Sequence, residues 1–162
     1  MPGYELIDKK EFSQVSEVFK KSKTLFRMGF DKQRKGIFKV QEFETNFAKK
    51  FKSKNALAVT SCTAALRVAL ATLNLNKKDE VITQSFTFVA TVEAIVESGA
   101  IPVCTDINET LNMGPNDLIR KINKKTKAVI VVHMLGVPAQ LDKIKKICKK
   151  YKITLIEDKA VG

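Results

Sequence analysis

Four short stretches carry side chains able to do chemistry, and each follows a run of apolar residues. The first, Thr60-Ser61-Cys62-Thr63, places hydroxyls and a thiol just before Ala64-Ala65-Leu66. Where such a turn opens a helix, the first N–H groups have no intrahelical acceptor. A Ser61 or Thr63 hydroxyl adds a donor, and together they make a seat for phosphate. Plain N-capping by Ser61 or Thr63 fits the same letters, and the residues alone leave both readings open. The second stretch, Ser85-Phe86-Thr87-Phe88, presents an aromatic that can stack on a planar ligand or pack beneath a following helix; the residues alone favour packing. Asp158 closes a third run, where a carboxylate in a partly dry site seeks a cationic partner unless it merely caps a helix. His133, the one histidine, ends the fourth and reads as a packed or hydrogen-bonded structural residue. Neither G-x-G-x-x-G nor a Walker lysine pattern is present.

The elements that must hold these stretches are legible from apolar spacing. From Asn55 onward the sequence predicts strands at 56–59, 80–83, 101–105, 128–132 and 153–156. Between them it predicts helices at 63–74, 88–98, 115–122 and 140–151. Continuous apolar strands separated by amphipathic helices imply an α/β fold, a mostly parallel sheet covered by helices on both faces. Ligands of such folds sit at the carboxyl ends of the strands, where all four stretches fall. Residues 1–54 read differently, as a helix over 11–22, an extended arm over 24–38 and a helix over 39–51 carrying Val40, Phe43, Phe47 and Phe51. The expected division is therefore 1–54, N-terminal helices and arm, and 55–162, an α/β domain that stops at Gly162 as its last loop begins.

The order and spacing of these stretches resemble the DegT-type sugar aminotransferases, fold-type-I enzymes that use pyridoxal phosphate. The resemblance is carried by Ala56-Leu-Ala-Val-Thr-Ser-Cys-Thr-Ala-Ala-Leu66, by Asp79-Glu-Val-Ile-Thr-Gln-Ser-Phe-Thr-Phe-Val-Ala-Thr91 and by Thr126-Lys-Ala-Val-Ile-Val-Val-His-Met-Leu-Gly-Val-Pro-Ala139. Leu155-Ile-Glu-Asp158 completes it. Leu25-Phe-Arg-Met-Gly-Phe-Asp31 and Lys39-Val-Gln-Glu-Phe-Glu44 are similar to the same family, in particular to its 8-amino-3,8-dideoxy-octulosonate transaminase branch.

The resemblance implies that 55–162 is an incomplete large domain of a fold-type-I enzyme, without the remainder of that domain or the small domain. It implies cofactor contacts from the Cys62 and Thr63 amides and the Thr63 hydroxyl, stacking by Phe88, and a carboxylate from Asp158 for the pyridine nitrogen. It also implies transfer of an amino group from glutamate to a keto or aldehyde sugar, by a homodimer. Because no apolar run approaches the length of a membrane span, a soluble, cytoplasmic protein without a membrane or nucleic-acid partner is expected. Two departures stand out. Cys62 occupies a position where the family usually has glycine or alanine. Lys159-Ala160-Val161-Gly162 replaces the family's small residue, alanine and glutamine or histidine. The Schiff-base lysine lies beyond Gly162 in the family, so no catalytic residue or metal ligand is assigned here, and Lys159 does not take that lysine's place. The isolated chain is expected to be inactive.

Composition bounds the alternatives. The 162 residues are 44% hydrophobic and 28% charged, enough for a sizeable core and unlike a disordered chain. Cys62, Cys104 and Cys148 are odd in number and far apart, suggesting neither a disulfide framework nor a zinc cluster. Cys104 and Cys148 fall in strand and helix patterns and read as ordinary buried residues. The net charge of +12 comes chiefly from lysine, since Arg27, Arg34, Arg67 and Arg120 are the only arginines. Lysine pairs such as Lys145-Lys146 and Lys149-Lys150, without interleaved aromatics, read as solvated helix faces rather than a nucleic-acid surface. The competing functional classes are a non-catalytic binding or assembly module of the same fold, a pyridoxal-phosphate sugar dehydratase and, last, a lysine-driven nucleic-acid binder. If the lysines only solvate, filter binding to random and fixed DNA duplexes will show weak, sequence-indifferent retention that disappears at modest salt. Sequence-selective retention at physiological ionic strength contradicts the assignment.

Overall fold

The computed structural model describes residues 4–160. The chain divides into two units, Met1–Ala58 and Val59–Gly162. In the first, α1 spans Lys9–Glu17 and opens with a capping box, in which the Asp8 carboxylate takes the Lys10 N–H while the Glu11 side chain reaches back to the Asp8 N–H. A π-helical turn continues it through Val18–Ser22. Lys39, at the start of α3 (Lys39–Lys50), pairs with Glu17 at 2.8 Å. Hydrogen bonds and charge from Lys39 and Lys21 hold the Glu17 carboxyl down to about 2.

Two expectations fail in this unit. The arm over 24–38 is not uniformly extended, because it contains the short helix α2 (Asp31–Arg34). Arg34 is buried there, its guanidinium donating to the Gly29 and Phe26 carbonyls and lying 5.2 Å from the Phe38 ring centre. Satisfying those carbonyls from a side chain lets the arm curl without a ladder. Residues 56–59 form no strand; the Ala58 N–H goes instead to the Glu44 carboxylate at 2.8 Å.

In the second unit α4 (Cys62–Ala71) leads into β1 (Glu80–Gln84), α5 (Val89–Glu97) and β2 (Ile101–Thr105). α6 (Pro115–Lys121), β3 (Thr126–Val132), α7 (Leu141–Tyr151) and β4 (Thr154–Asp158) follow. The four strands are parallel, in the order β2-β1-β3-β4. This is the α/β arrangement expected from the apolar runs. Alternate residues of each strand feed opposite faces. Val81, Ala128, Ile130 and Ile156 pack with Leu66 and Leu70 of α4 and Ala94 and Ile95 of α5. Ile82, Val129, Val131 and Leu155 pack with Leu118 of α6 and Ile144 and Cys148 of α7.

The connections explain the two layers. From β1 to β2 the chain steps one way and lays α5 on the first face. From β2 to β3 and on to β4 it steps the other way, with α6 and α7 on the second, as crossovers of a single hand require. The reversal falls between β1 and β3, the position at which open α/β sheets receive their ligands. The backbone ladder between them runs only from Glu80 to Ile82. Beyond it, the fully buried Gln84 amide bridges the strands: Oε1 accepts the Val132 N–H at 3.2 Å, and Nε2 donates to the Phe86 carbonyl at 3.0 Å and the Leu111 carbonyl at 3.3 Å. Gln84→Ala strips three hydrogen bonds from a buried junction and should cost about 2–4 kcal/mol. Urea unfolding will register this as a lower midpoint at unchanged slope.

Candidate functional site

Register decides which acidic side chain faces α4. β4 pairs with β3 so that Val131 lies opposite Glu157 and Val132 opposite Asp158. Asp158 shares the parity of Ile156 and turns toward the α4–α5 face. Glu157 shares that of Leu155 and turns toward α7. There Glu157 meets Lys145 at 3.3 Å, Lys159 at 3.6 Å and His133 at 3.8 Å. Lys159 is thus paired with Glu157 rather than with Asp158.

Asp158 is only 6% exposed. Its Oδ1 accepts the Ala160 N–H at 2.9 Å and the Cys62 thiol at 3.5 Å, whereas Oδ2 has no partner among the described residues. Cys62 is the first residue of α4, so β4 and the α4 amino terminus meet at this carboxylate. Cys62 is exposed as a residue, but partial desolvation of its thiol, reinforced by the Asp158 charge and hydrogen bond, pushes the thiol above its ordinary value.

Ser61 is the N-cap of α4, in extended backbone, and its hydroxyl accepts the Ala64 N–H at 3.1 Å. The capping alternative therefore holds for Ser61, and not at the expense of the phosphate seat. The cap engages Ala64 and leaves the Cys62 and Thr63 amides without intramolecular acceptors among the described residues. Those amides carry the positive end of the helix, which favours an anion.

Phe88 is 69% exposed, so the expectation that it packs as core is overturned. It is the N-cap of α5, at φ −70° and ψ 142°, an extended conformation in which its ring stays out of the core. Thr87 and Thr91 share a hydroxyl hydrogen bond at 3.0 Å that secures this turn. Two strand spacings separate β1 from β4, so the loop bearing Phe88 starts roughly 10 Å across the sheet from Asp158.

His133 is buried, and its Nδ1 accepts the Ala139 N–H at 3.0 Å. Its backbone N–H continues the ladder to the Asp158 carbonyl. The structural reading of His133 stands, although Nε2 lacks a hydrogen-bond partner among the described residues. With Gly136, Pro138, Leu141 and Lys159 it lines a cavity of about 360 Å³. Cys148 is buried as expected, but Cys104 is exposed because its position on the edge strand β2 is not covered. No group of three or more His, Cys, Asp or Glu among the described residues is placed to hold a metal ion.

The model of the DegT/DnrJ/EryC1/StrS aminotransferase family matches residues 9–162. The chain belongs to this family. It is 43% identical over 126 residues to the GDP-perosamine synthase of Vibrio cholerae, covering 76% of this chain and 34% of that protein. The structure is similar to that of 3-amino-5-hydroxybenzoic acid synthase, with TM-score 0.86, 30% identity, and coverage of 97% of this chain and 39% of the other. It is also similar to GDP-4-keto-6-deoxymannose-3-dehydratase with a trapped PLP-glutamate geminal diamine, at TM-score 0.81 and 31% identity, covering 96% and 39%. The chain thus spans about a third of the length of the curated relative. As a family member it has the fold of the pyridoxal-phosphate enzymes. No helix among the described residues is long and apolar enough to cross a membrane.

Two structural supports of the site escaped the sequence reading. Gln84 could have been noticed as an amide ending an apolar strand. Asn112, wholly buried, donates to the Thr110 and Val137 carbonyls and accepts the Met134 N–H at 2.9 Å, tying the loops after β2 and β3 together. Nothing in its neighbours signals that role. Inorganic phosphate is expected to shift the Cys62 and Thr63 amide resonances, and Thr63→Ala to weaken binding by about 1.5–3 kcal/mol. Unmoved resonances at millimolar phosphate rule out the seat.

Proposed function

We propose that this chain forms the cofactor-binding part of a pyridoxal-phosphate aminotransferase that moves an amino group from glutamate to a keto or aldehyde sugar. The observation carrying the proposal is Asp158, a buried carboxylate with one oxygen unpartnered among the described residues, held against the amino terminus of α4. A buried carboxylate of this kind is stabilised by a cation, and a protonated pyridine nitrogen is one. The open amides of α4 suit a phosphate dianion, and an exposed aromatic after the carboxyl end of β1 suits a planar ring. The residues present therefore fit pyridoxal phosphate.

When bound, the cofactor supplies an electron-accepting ring that takes up the charge left as a proton leaves the amino acid. Asp158 would hold a proton on the ring nitrogen. The Cys62 and Thr63 amides and the Thr63 hydroxyl would anchor the phosphate. Phe88 would stack on the ring. Moving the proton between substrate and cofactor needs a positioned amine. Lys159 is not that amine, because its side chain is 70% exposed and paired with Glu157. The complete enzyme is proposed to be a cytoplasmic homodimer similar to the octulosonate branch of the family. Similarity to a 3-dehydratase supports a second reading, in which the same cofactor site serves removal of a sugar hydroxyl.

Pyridoxal phosphate binding followed by absorbance tests the proposal. Asp158→Asn should weaken it about tenfold or more, as expected when a charge-assisted contact is lost; equal affinity would overturn the assignment. The 162-residue chain mixed with pyridoxal phosphate and glutamate should release no 2-oxoglutarate beyond the free-cofactor rate, and Lys159→Ala should leave that rate unchanged. Turnover lost in Lys159→Ala would place the catalytic amine inside this chain.

A further inference from the structure

We infer that Cys62 is a positioning residue for Asp158, holding one carboxylate oxygen so that the other faces a cationic ring nitrogen; the inference rests on the cofactor reading above. The two oxygens of Asp158 are unequally served. Oδ1 takes both available donors, the Ala160 amide at 2.9 Å and the Cys62 thiol at 3.5 Å. Oδ2 takes none among the described residues, although the residue is only 6% exposed. A carboxylate hydrogen-bonded on one oxygen alone is fixed in rotation, and its free lone pairs point in one direction.

The donors come from two different elements. Ala160 lies two residues past Asp158 and follows its backbone, so its amide cannot restrain β4 against α4. Cys62 stands at the first helical position of α4, and its thiol ties the carboxylate to the same turn that offers the Cys62 and Thr63 amides. The contact therefore sets the separation between the anion seat and the free oxygen. Glycine or alanine at position 62 has no donor to do this.

The remaining charged groups nearby do not compete. Lys145, Lys159 and His133 each pair with Glu157 on the α7 side of β4. The Ser61 hydroxyl is engaged with Ala64. A thiol is a suitable donor here because it is neutral and does not take the proton that the ring nitrogen requires. Partial desolvation, then the Asp158 charge and hydrogen bond, push its ionisation upward, against the lowering that a helix amino terminus exerts on a thiol. Cys62 acts as a held donor, not a nucleophile.

Two measurements on the full 162-residue chain distinguish the outcomes. Peptide-resolved iodoacetamide labelling from neutral to alkaline pH reads the contact without any cofactor. Asp158→Asn should speed Cys62 labelling severalfold at neutral pH while Cys104 is unaffected; labelling of Cys62 indifferent to Asp158→Asn overturns the inference. Binding of pyridoxine 5′-phosphate, which has the ring and phosphate but no aldehyde, reads the consequence. Cys62→Ala should raise its Kd about fivefold, as loss of one ordinary hydrogen bond does, and Cys62→Ser should stay within about twofold of the unaltered chain. Neither Cys62 variant changes the buried charge, so a folding failure of Asp158→Asn leaves this arm intact. Affinity for inorganic phosphate should be equal in all three. Equal pyridoxine-phosphate affinity in Cys62→Ala, or a parallel loss for inorganic phosphate, assigns Cys62 to packing and overturns the inference. If the unaltered chain binds inorganic phosphate but not pyridoxine phosphate while the labelling signature holds, the cofactor reading fails and the thiol–carboxylate contact survives it.

Discussion

The site depends on the pairing of β3 with β4. β3 is the central element of the second unit, with Ala128 to Val131 fully buried between helices on both faces. Because side chains alternate, the register that sets Val132 opposite Asp158 sends Asp158 toward α4 and Glu157 toward α7. A slip of one residue would exchange them. The buried carboxylate beside the open amides would then be the one that now sits among Lys145, Lys159 and His133. That register is secured by apolar burial on both faces, since the same slip would misplace Leu155 and Ile156 at the same time.

The switch point between β1 and β3 is a consequence of topology, and the carboxyl ends of its strands are joined by polar side chains rather than by the sheet itself. Backbone pairing between β1 and β3 ends before either strand does, and Gln84 takes over from it. Asn112 performs the corresponding service one loop further out. Both amides are wholly buried and use donor and acceptor ends together, which offsets the desolvation of burying them. Backbone pairing of the two strands can therefore end early without leaving the groups between them unsatisfied.

The first unit follows a different logic. Its helices are linked by ion pairs around Glu17, and along α3 the Phe43, Phe47 and Phe51 rings line up four residues apart with centres 5.6 and 4.5 Å from their neighbours. Many of its aromatic residues, Phe12, Phe26, Phe30 and Phe51 among them, remain exposed. An exposed apolar surface of this extent is characteristic of a chain that buries it against a further surface.

The sequence by itself determined the alternation of strands and helices in 80–158, because continuous β-branched runs and helical spacing are local signals that burial on two faces only reinforces. It also marked Cys62, Thr63, Phe88 and Asp158, through resemblance to a family to which the chain proves to belong. Strand 56–59 failed because an apolar run needs a neighbour to become a strand, and the Ala58 amide found a side-chain carboxylate instead. The arm failed because its curl depends on the burial of Arg34, a tertiary event. Only the folded structure decided that Phe88 stands clear of the core, that Lys159 pairs with Glu157, and that Cys62 meets Asp158 across 96 residues of sequence. Those outcomes follow from strand order and register, which are set by packing between distant segments and leave no trace in the letters around each residue.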